Sequence, residues 1–519
     1  MRDVSKRPLV RLVGLFVVLA MAVTACTTSS TSDGEGGATT SSTAPATITT
    51  APLPPTTTST PPAVTTTSTV VAPAFDGITV TPGDDLGALV AASDPGTQFQ
   101  LTAGVHRPSE THPKDGMVFE GVPGTILNGA ILLDGFESDG ETWTLTGVEL
   151  NTRAHGKCED DYQACALQND LFMDETLVWR VDQRDEVRPG TWWGDDKTIV
   201  VGDDPTHRKV ELSVTEHAFV SGADDVVIRG MVVEKYATRA QSGAIQAELP
   251  DNGEVGSNWL IEDVEVRFNH AVGIKGGTET SIRRVHSHHN GQLGIAVSGG
   301  TNVVVEFSEI NDNNTRGFSS GWEAGDTKFT YTTGLMVRNN VVHNNLGPGL
   351  WTDIDNFDTT YEDNVSYANT GPGIFHEISF DAIIRNNEVY ENGFGQSAWL
   401  WGSGILVAAS SNVEVTQNTV YDNADGIGAI QQFREGSDGQ LWILENLWVH
   451  DNDITMLDGQ TGVVQDVDDP TVFTDRNLRF DNNTYHGAEH DAFAWANRDI
   501  TWVEWNASQM DVNGTRLDE

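Results

Sequence analysis

Two segments of the chain, Asn345-Leu-Gly-Pro-Gly-Leu-Trp-Thr-Asp353 and Asn369-Thr-Gly-Pro-Gly-Ile-Phe-His-Glu377, repeat one pattern at a spacing of 24 residues. Each segment follows an Asn-Val pair at the same offset, Asn340-Val341 in the first case and Asn364-Val365 in the second. Repeats of roughly 20–30 residues that combine Asn, Gly and β-branched residues are typical of a parallel β-helix, in which one repeat forms one coil. The sequence therefore predicts an all-β fold, a right-handed parallel β-helix of the pectate-lyase-like type.

Loop asparagines extend the repeat on both sides of these segments. They recur at intervals of 21, 23, 32, 24, 23 and 31 residues, at Asn269, Asn290, Asn313, Asn345, Asn369, Asn392 and Asn423. The long intervals predict loops that leave the coil over residues 321–332 and 393–401. Asn tolerates the left-handed backbone conformation, and its amide can bond the turns above and below it. We therefore expect a structural ladder of asparagines at the bends.

The repeating body is predicted to span residues 75–490. Between about 140 and 215 the repeat gives way to short alternating strands, four tryptophans and two cysteines, which predicts an inserted small β-subdomain. Residues 491–519 change period again, and Ile500, Trp502, Val503 and Met510 there predict a short helix or irregular segment. This segment is expected to cap the open end of the coil stack.

The first 25 residues are predicted to be a lipoprotein signal peptide. Basic residues precede a short apolar stretch, and Val23-Thr-Ala-Cys26 resembles a lipobox whose cysteine carries lipid. An ordinary secretory signal with an incidental Cys26 is the alternative. Residues 26–74 are rich in Thr, Ser and Pro and predict a disordered spacer. The expected location is the extracellular face of a bacterial membrane, contacted only through lipid on Cys26, or the secreted fraction.

The other two cysteines, Cys158 and Cys165, lie seven residues apart. An exported protein meets an oxidising environment, so the pair is predicted to form a disulfide that closes a small loop. A metal site is the weaker alternative, because no second Cys or His cluster follows at ligand spacing.

The chain is strongly acidic, with 75 Asp and Glu against 30 Lys and Arg, a net charge of −45. This charge argues against nucleic acid and anionic membrane surfaces as partners. It also counts against a polyanionic glycan, unless Ca²⁺ bridges the charges. Solubility alone is an equally good explanation of the acidity.

The repeat places Asp353 and Glu377 at equivalent positions of adjacent coils, about 4.8 Å apart. Their carboxyl groups are then on the order of 5 Å apart, which matches retaining rather than inverting glycosidases. Two acids this close do not both ionise easily, so one pKa should rise. Glu377 has apolar sequence neighbours and is the predicted acid/base; Asp353 has polar ones and is the predicted nucleophile.

Further residues are candidates for substrate binding around this pair. Trp351 and Phe375 alternate with the acids along their strands and should share their face, where aromatic rings stack on sugars. The other candidates on the predicted groove are Asp355, Lys275, Trp322, Glu323, Lys328, His376, Gln431 and Arg434. Two alternatives remain for the acids: a Ca²⁺ site formed with Asp355, or a plain solvated surface.

The segments around both acids, Gly-Leu-Trp-Thr-Asp353 and Phe-His-Glu377-Ile-Ser, resemble the parallel β-helix β-xylosidases of glycoside hydrolase family 120. The resemblance extends loosely over most of residues 75–490, including the early coil at 121–129. It implies that Asp353 is the nucleophile and Glu377 the acid/base. The residues after Glu377 and the loop at 321–332 depart from the family's pattern, so the resemblance does not specify the sugar.

The sequence thus favours a surface-tethered retaining glycoside hydrolase that acts on a neutral polysaccharide or oligosaccharide, with xylan-like chains among the candidates. No cofactor is required, Ca²⁺ is a candidate ligand, carbohydrate is the expected partner and a monomer the expected state. A polysaccharide lyase or uronate epimerase is the first alternative, with Lys275 and Lys328 as its candidate bases. A non-catalytic glycan-binding surface protein is the second.

Overall fold

The computed structural model describes residues 76–517, except 251–252, 396–397, 437–438, 457 and 488–491. The predicted signal peptide, Cys26 and the spacer lie outside the described residues. Within them, no helix is long and apolar enough to cross a bilayer.

The described chain winds into coils that each contribute strands to parallel sheets, named the first, second and third sheets in the order in which a coil enters them. The first sheet has these 13 strands: Ile78–Val80, Gln98–Leu101, Val118–Gly121, Val227–Arg229, Leu260–Glu262, Ser281–Arg283, Val304–Glu306, Met336–Arg338, Phe357–Glu362, Phe380–Arg385, Ser411–Thr416, Glu445–His450 and Arg479–Asp481. The second sheet has these 13 strands: Gly104–His106, Thr125–Asn128, Val232–Glu234, Glu265–Arg267, His286–His288, Glu309–Asn311, Val341–His343, Val365–Tyr367, Glu388–Tyr390, Thr419–Tyr421, Asp453–Thr455, Thr484–His486 and Thr515–Leu517.

The third sheet carries the predicted site. Its 12 strands are Phe219–Val220, Gly243–Gln246, Val272–Gly276, Leu293–Ser298, Thr327–Thr330, Leu350–Thr352, Ile374–Glu377, Ser403–Ala408, Asp425–Gln431, Thr461–Gln465, Phe493–Trp495 and Arg498–Ile500. All neighbours pair in parallel except the last two strands, which form an antiparallel pair at the end of the stack. Inward-facing aliphatic residues at equivalent positions fill the interior, for example Ile274, Ile295, Leu350, Ile374, Ile405 and Ile427.

The inserted subdomain is an eight-stranded sheet with its own core, which includes Leu171, Trp192 and Leu212. Its strands, in spatial order, are Ala130–Leu133, Val210–Ser213, Leu171–Met173, Thr176–Arg180, Thr191–Gly194, Thr198–Val201, Trp143–Thr146 and Glu137–Ser138. The sheet begins at Ala130, earlier than the predicted boundary near 140. Ala-Ile-Leu-Leu at 130–133 has the apolar composition of a coil strand, but it pairs antiparallel with Val210–Ser213.

Helices are few and short. The α-helices are Leu86–Ala92, Ser320–Glu323 and Trp502–Ala507, and the 3-10 helices are Gln163–Ala166, Arg184–Glu186, Ala398–Leu400 and Pro470–Phe473. Cys165, which lies in the helix Gln163–Ala166, is joined to Cys158 in a disulfide.

Two asparagine ladders run along the bends of the coil. In the predicted one, Asn345 Nδ2 donates to Asn369 Oδ1 and Asn369 Nδ2 donates to Asn392 Oδ1, both at 2.9 Å. The backbone N–H of each asparagine also donates to the next Oδ1. The second ladder, at the bend between the first and second sheets, consists of Asn340, Asn364, Asn387, Asn418, Asn452 and Asn483. Each coil in this region is therefore hydrogen-bonded to the next at two corners.

The left-handed backbone conformation falls one residue before the ladder positions rather than on them. Asn344 and Ala368 have φ of 59° and 54°, and they precede Asn345 and Asn369. The hydrogen bonds of their buried amides thus explain why asparagine recurs at the ladder positions. The left-handed position just before each of them accepts several residue types.

The second ladder ends on Asp511, whose Oδ1 accepts from the backbone and side chain of Asn483. Its Oδ2 accepts from Tyr485 and from the indole of Trp505, which lies in the capping helix Trp502–Ala507. Trp505 is fully buried there. Val503, expected on the buried side of this helix, is 75% exposed because Trp505 occupies that side.

Replacing Asn369 by Ala should lower the free energy of unfolding by about 2–4 kcal/mol, because the buried N–H and amide of Asn345 lose their acceptor. Chemical denaturation of the purified body measures this change. Thr370→Ala, at the exposed neighbouring position, is the matched control and should change stability by less than about 0.5 kcal/mol. Equal stability of the two variants would show that the ladder is dispensable.

Candidate active site

Asp353 and Glu377 lie side by side on the third sheet. The register pairs Leu350 with Ile374, Trp351 with Phe375 and Thr352 with His376, so the next pair along the strands is the two acids. Each acid is only 5% exposed. The structure thus shows the adjacent-coil arrangement that the repeat predicts.

Asp353 is held by a lysine from the preceding coil. Lys328 Nζ lies 2.8 Å from Asp353 Oδ2, 3.8 Å from the centre of the Trp351 ring and 3.2 Å from the carbonyl oxygen of Trp322. The other carboxylate oxygen, Asp353 Oδ1, is buried and has no hydrogen-bond partner among the described residues. One oxygen is therefore fixed by a cation, while the other is a buried acceptor without a partner among the described residues.

Glu377 has a different environment. Its outward neighbour on the following coil is Ala408, and its one strong partner is the guanidinium of Arg434, which forms an ion pair with Oε1. Burial, and then the charge of Asp353, raise the pKa of Glu377 to about 7, against the opposing effect of Arg434 and Lys328. Below that pH Glu377 is protonated and can act as a proton donor.

A cavity of about 600 Å³ opens beside the acids. Its lining residues are Ser320, Gly321, Pro348, Trp351, Pro372, Phe375, Glu377, Gly395, Ala398, Trp401 and Arg434. Trp351 and Phe375 stack at 5.7 Å between ring centres, and Trp401 meets Phe375 edge-on at 5.9 Å. The size and the aromatic walls fit a site for a small, partly apolar ligand.

The repeated Pro-Gly dipeptides bring the coils together below this cavity. A Cβ atom on Gly349 would lie 2.5 Å from the carbonyl oxygen of Gly373, so only glycine fits there. Pro348 and Pro372 precede these glycines and form part of the cavity wall. The motif that defines the fold in the sequence therefore also shapes the site.

Three of the predicted substrate-binding residues that belong to strands of the third sheet lie outside the cavity. His376 faces the interior, fully buried and hydrogen-bonded to Thr352 at 2.7 Å, and burial lowers its pKa to about 3. It alternates with Phe375 and Glu377, so it cannot share their face. Lys275 forms an ion pair with Glu248 at 2.7 Å and lies three coils before Trp351, roughly 14 Å along the stack.

Gln431 is the third, and it is one residue out of register. Glu377 pairs with Ala408, and Ala408 pairs with Ile430. The coil after Asn423 reaches the position equivalent to Glu377 one residue sooner than the coil after Asn369 does. Counting eight residues from the asparagine therefore gives Gln431, one residue too far. The buried side chain of Gln431 instead accepts hydrogen bonds from the backbone of Leu444 and from Arg476.

The loop before Asp353 also differs from the prediction. Lys328 belongs to the strand Thr327–Thr330, and the excursion precedes that strand. Trp322 packs beside Cys158 and Phe318, and Glu323 accepts a hydrogen bond from Gln241, so neither faces the cavity. Ser320 and Gly321 of the same short helix line it instead.

Arg434 and Trp401 complete the cavity from loops, and only Arg434 is among the residues that the sequence predicts for the groove. Arg434 contacts Glu377 itself. Trp401 lies at the end of the excursion between Asn392 and Asn423. The long interval there was the one signal for it, and interval length does not show which side chain turns inward.

The three carboxylates considered for Ca²⁺ have other partners. Asp353 faces Lys328, Glu377 faces Arg434, and Asp355 Oδ1 accepts from Trp442 Nε1 at 3.1 Å. Within the described ranges, no group of three or more His, Cys, Asp or Glu residues is arranged to hold a metal ion.

Comparisons with known proteins agree on the fold. The family model described as "Right handed beta helix region" matches residues 253–405. A structure of XylC in complex with xylose is 13% identical, with 78% of this chain and 80% of that chain covered and a TM-score of 0.58. The A-module of the Azotobacter vinelandii mannuronan C-5 epimerase AlgE6 is 15% identical, with coverages of 85% and 96% and a TM-score of 0.42.

A mannuronic acid specific polysaccharide family 6 lyase from human gut microbiota is 11% identical, with coverages of 85% and 86% and a TM-score of 0.44. A search by sequence among curated proteins finds no match. The family model and the similarity to XylC, together with the sheets described above, show that this chain is a right-handed parallel β-helix, as its repeats predict.

Proposed function

We propose that this protein is a retaining glycoside hydrolase that acts on a neutral glycan, with Asp353 as nucleophile and Glu377 as acid/base. The observation that carries the proposal is the stacked acid pair, in which a lysine contacts Asp353 and burial raises the pKa of Glu377 to about 7. Two neighbouring carboxyl groups in different protonation states are what this reaction requires.

In the first step, the Asp353 carboxylate attacks the anomeric carbon of the sugar. The bond from that carbon to the glycosidic oxygen breaks, and protonated Glu377 gives its proton to the departing oxygen. The product is a glycosyl ester on Asp353 together with a released alcohol or sugar. Lys328 orients Asp353 for the attack through its contact with Oδ2.

In the second step, Glu377 is ionised and removes a proton from water. The water oxygen bonds to the anomeric carbon and the ester bond to Asp353 breaks, which restores both acids. Two displacements at the same carbon retain its configuration. Arg434 stabilises the anionic form of Glu377 that this step needs.

The surroundings of the acids favour hydrolysis over lyase or epimerase chemistry. A uronate substrate needs cationic groups for its carboxylate, but Lys328 and Arg434 are already paired with Asp353 and Glu377, and Lys275 is paired with Glu248. The stacked Trp351 and Phe375 offer instead an apolar wall suited to a neutral sugar ring. The resemblance to β-xylosidases of family 120, and the fold shared with XylC, make xylose-containing chains the first substrates to test.

Asp353→Asn and Glu377→Gln should each abolish most hydrolysis in a panel of aryl glycosides, by about 10²–10⁴-fold for the acid/base. Azide should restore turnover of an activated aryl glycoside in Glu377→Gln and give a glycosyl azide of retained configuration. Glu414→Gln, on the first sheet, is the matched control and should keep wild-type rates. Unchanged hydrolysis in either acid variant, or an unsaturated product from a uronate polymer, would contradict the proposal.

The rate should depend on pH through Glu377. Its protonated form donates to the leaving oxygen, so kcat/KM should fall as the pH rises through about 7. Arg434 lowers the pKa of Glu377, so Arg434→Met should move this basic limb to higher pH. Arg338→Met, far from the site on the first sheet, should leave the limb in place. A limb that Arg434→Met does not move would argue that another group titrates.

The protein is further proposed to act while tethered to the cell surface by lipid on Cys26. Full-length protein expressed in a lipoprotein-processing host should enter the detergent phase of a Triton X-114 partition. Cys26→Ser should shift it to the aqueous phase, because the acyl attachment point is lost. Equal partition of both forms would contradict the anchor.

A further inference from the structure

A second cavity of about 370 Å³ includes lining residues from the same two coils that carry the acids. Asp355, Phe380, Ser411, Trp442 and Glu445 are among its lining residues. Phe380 stacks on Phe357 at 5.0 Å between ring centres, and Phe357 is 42% exposed. This combination of an aromatic face with hydroxyl and carboxylate groups resembles a sugar-binding surface.

Two consecutive coils each contribute lining residues to both cavities, in the same order along the chain. One coil places Trp351 in the cavity described above and Asp355 in the second, with Asp353 between them in sequence. The next coil likewise places Phe375 in one and Phe380 in the other, on either side of Glu377. In sequence, each acid therefore lies between a residue of the first cavity and a residue of the second, and Glu377 itself lines the first.

A hairpin of the chain forms part of both walls. Trp442 N donates to the carbonyl oxygen of Arg434 at 3.0 Å, and Glu435 bridges to Leu441, so the two limbs of the hairpin are paired. From one limb Arg434 reaches Glu377, and from the other the Trp442 indole reaches Asp355 at 3.1 Å. The same element thus joins an acid of the pair to the floor of the second cavity.

We propose that the second cavity binds the sugar on the leaving side of the scissile bond, so that the glycan crosses the coils instead of running along the stack. This inference rests on the proposed function and extends it, because it defines the substrate as an oligosaccharide or polysaccharide with a sugar leaving group. In the transition state the departing oxygen then lies at Glu377, and its sugar packs against Phe380.

The test compares two substrates of whichever sugar the aryl glycoside panel selects: the glycosyl fluoride, which has no leaving sugar, and the β-1,4-linked disaccharide. In Phe380→Ala the ratio of kcat/KM for the disaccharide to kcat/KM for the fluoride should fall about tenfold. Trp442→Phe, which keeps a ring but loses the donor to Asp355, should lower the ratio in the same direction. Phe307→Ala, which removes an exposed ring that lines neither cavity, should leave the ratio unchanged.

Transfer to an acceptor gives a second measurement. A retaining enzyme passes its glycosyl group to a sugar bound on the leaving side, so transfer from the fluoride to added monosaccharide should decrease in Phe380→Ala relative to hydrolysis. If the wild type cleaves both substrates but neither variant changes the ratio, this inference fails and the hydrolase proposal stands. If the wild type cleaves no glycoside, both fail together.

Discussion

The proposed site depends on the hydrogen-bonded register between consecutive coils. Register sets equivalent residues about 4.8 Å apart, and a slip of one residue would turn every side chain to the opposite face. Such a slip would place the inward-facing His376 beside Asp353 in place of Glu377. The buried asparagine ladders, with Asn345 bonded to Asn369 through both backbone and side chain, fix the coils against that slip.

Fixed register creates an electrostatic cost that the surrounding side chains offset. Two buried carboxyl groups at strand spacing repel each other when both are ionised. Lys328 lies one coil before Asp353 and stabilises its charge, while Arg434 reaches back to Glu377 from beyond the strand Asp425–Gln431. The two cations act unequally, because burial still leaves Glu377 with a raised pKa. This asymmetry supports the different roles proposed for the two acids.

The sequence was sufficient for the parts of the molecule that repeat. The two Pro-Gly segments predicted the coil, and the 24-residue offset predicted which acids would be neighbours. Prediction failed where the offset changed. Gln431 lies one position beyond the equivalent of Glu377, because its coil has one residue fewer between the asparagine and that position. Prediction also failed for Trp401, whose side chain a loop brings to the cavity, since no periodicity governs the loop. His376 was misplaced for a simpler reason, because strict alternation along its own strand should have excluded it.

Asp511 shows how such a stack comes to an end. The side-chain amide of an asparagine at a bend accepts hydrogen bonds from one turn and donates one to the next, so it can always bond a further turn. The open edge of a solenoid can likewise pair with another molecule. Asp511, in contrast, acts here only as an acceptor, and its carboxyl oxygens accept from Asn483, Tyr485 and Trp505. It has no N–H to offer to a following molecule. The ladder therefore stops for a chemical reason as well as a steric one, because no side-chain donor remains at Asp511 for a further turn.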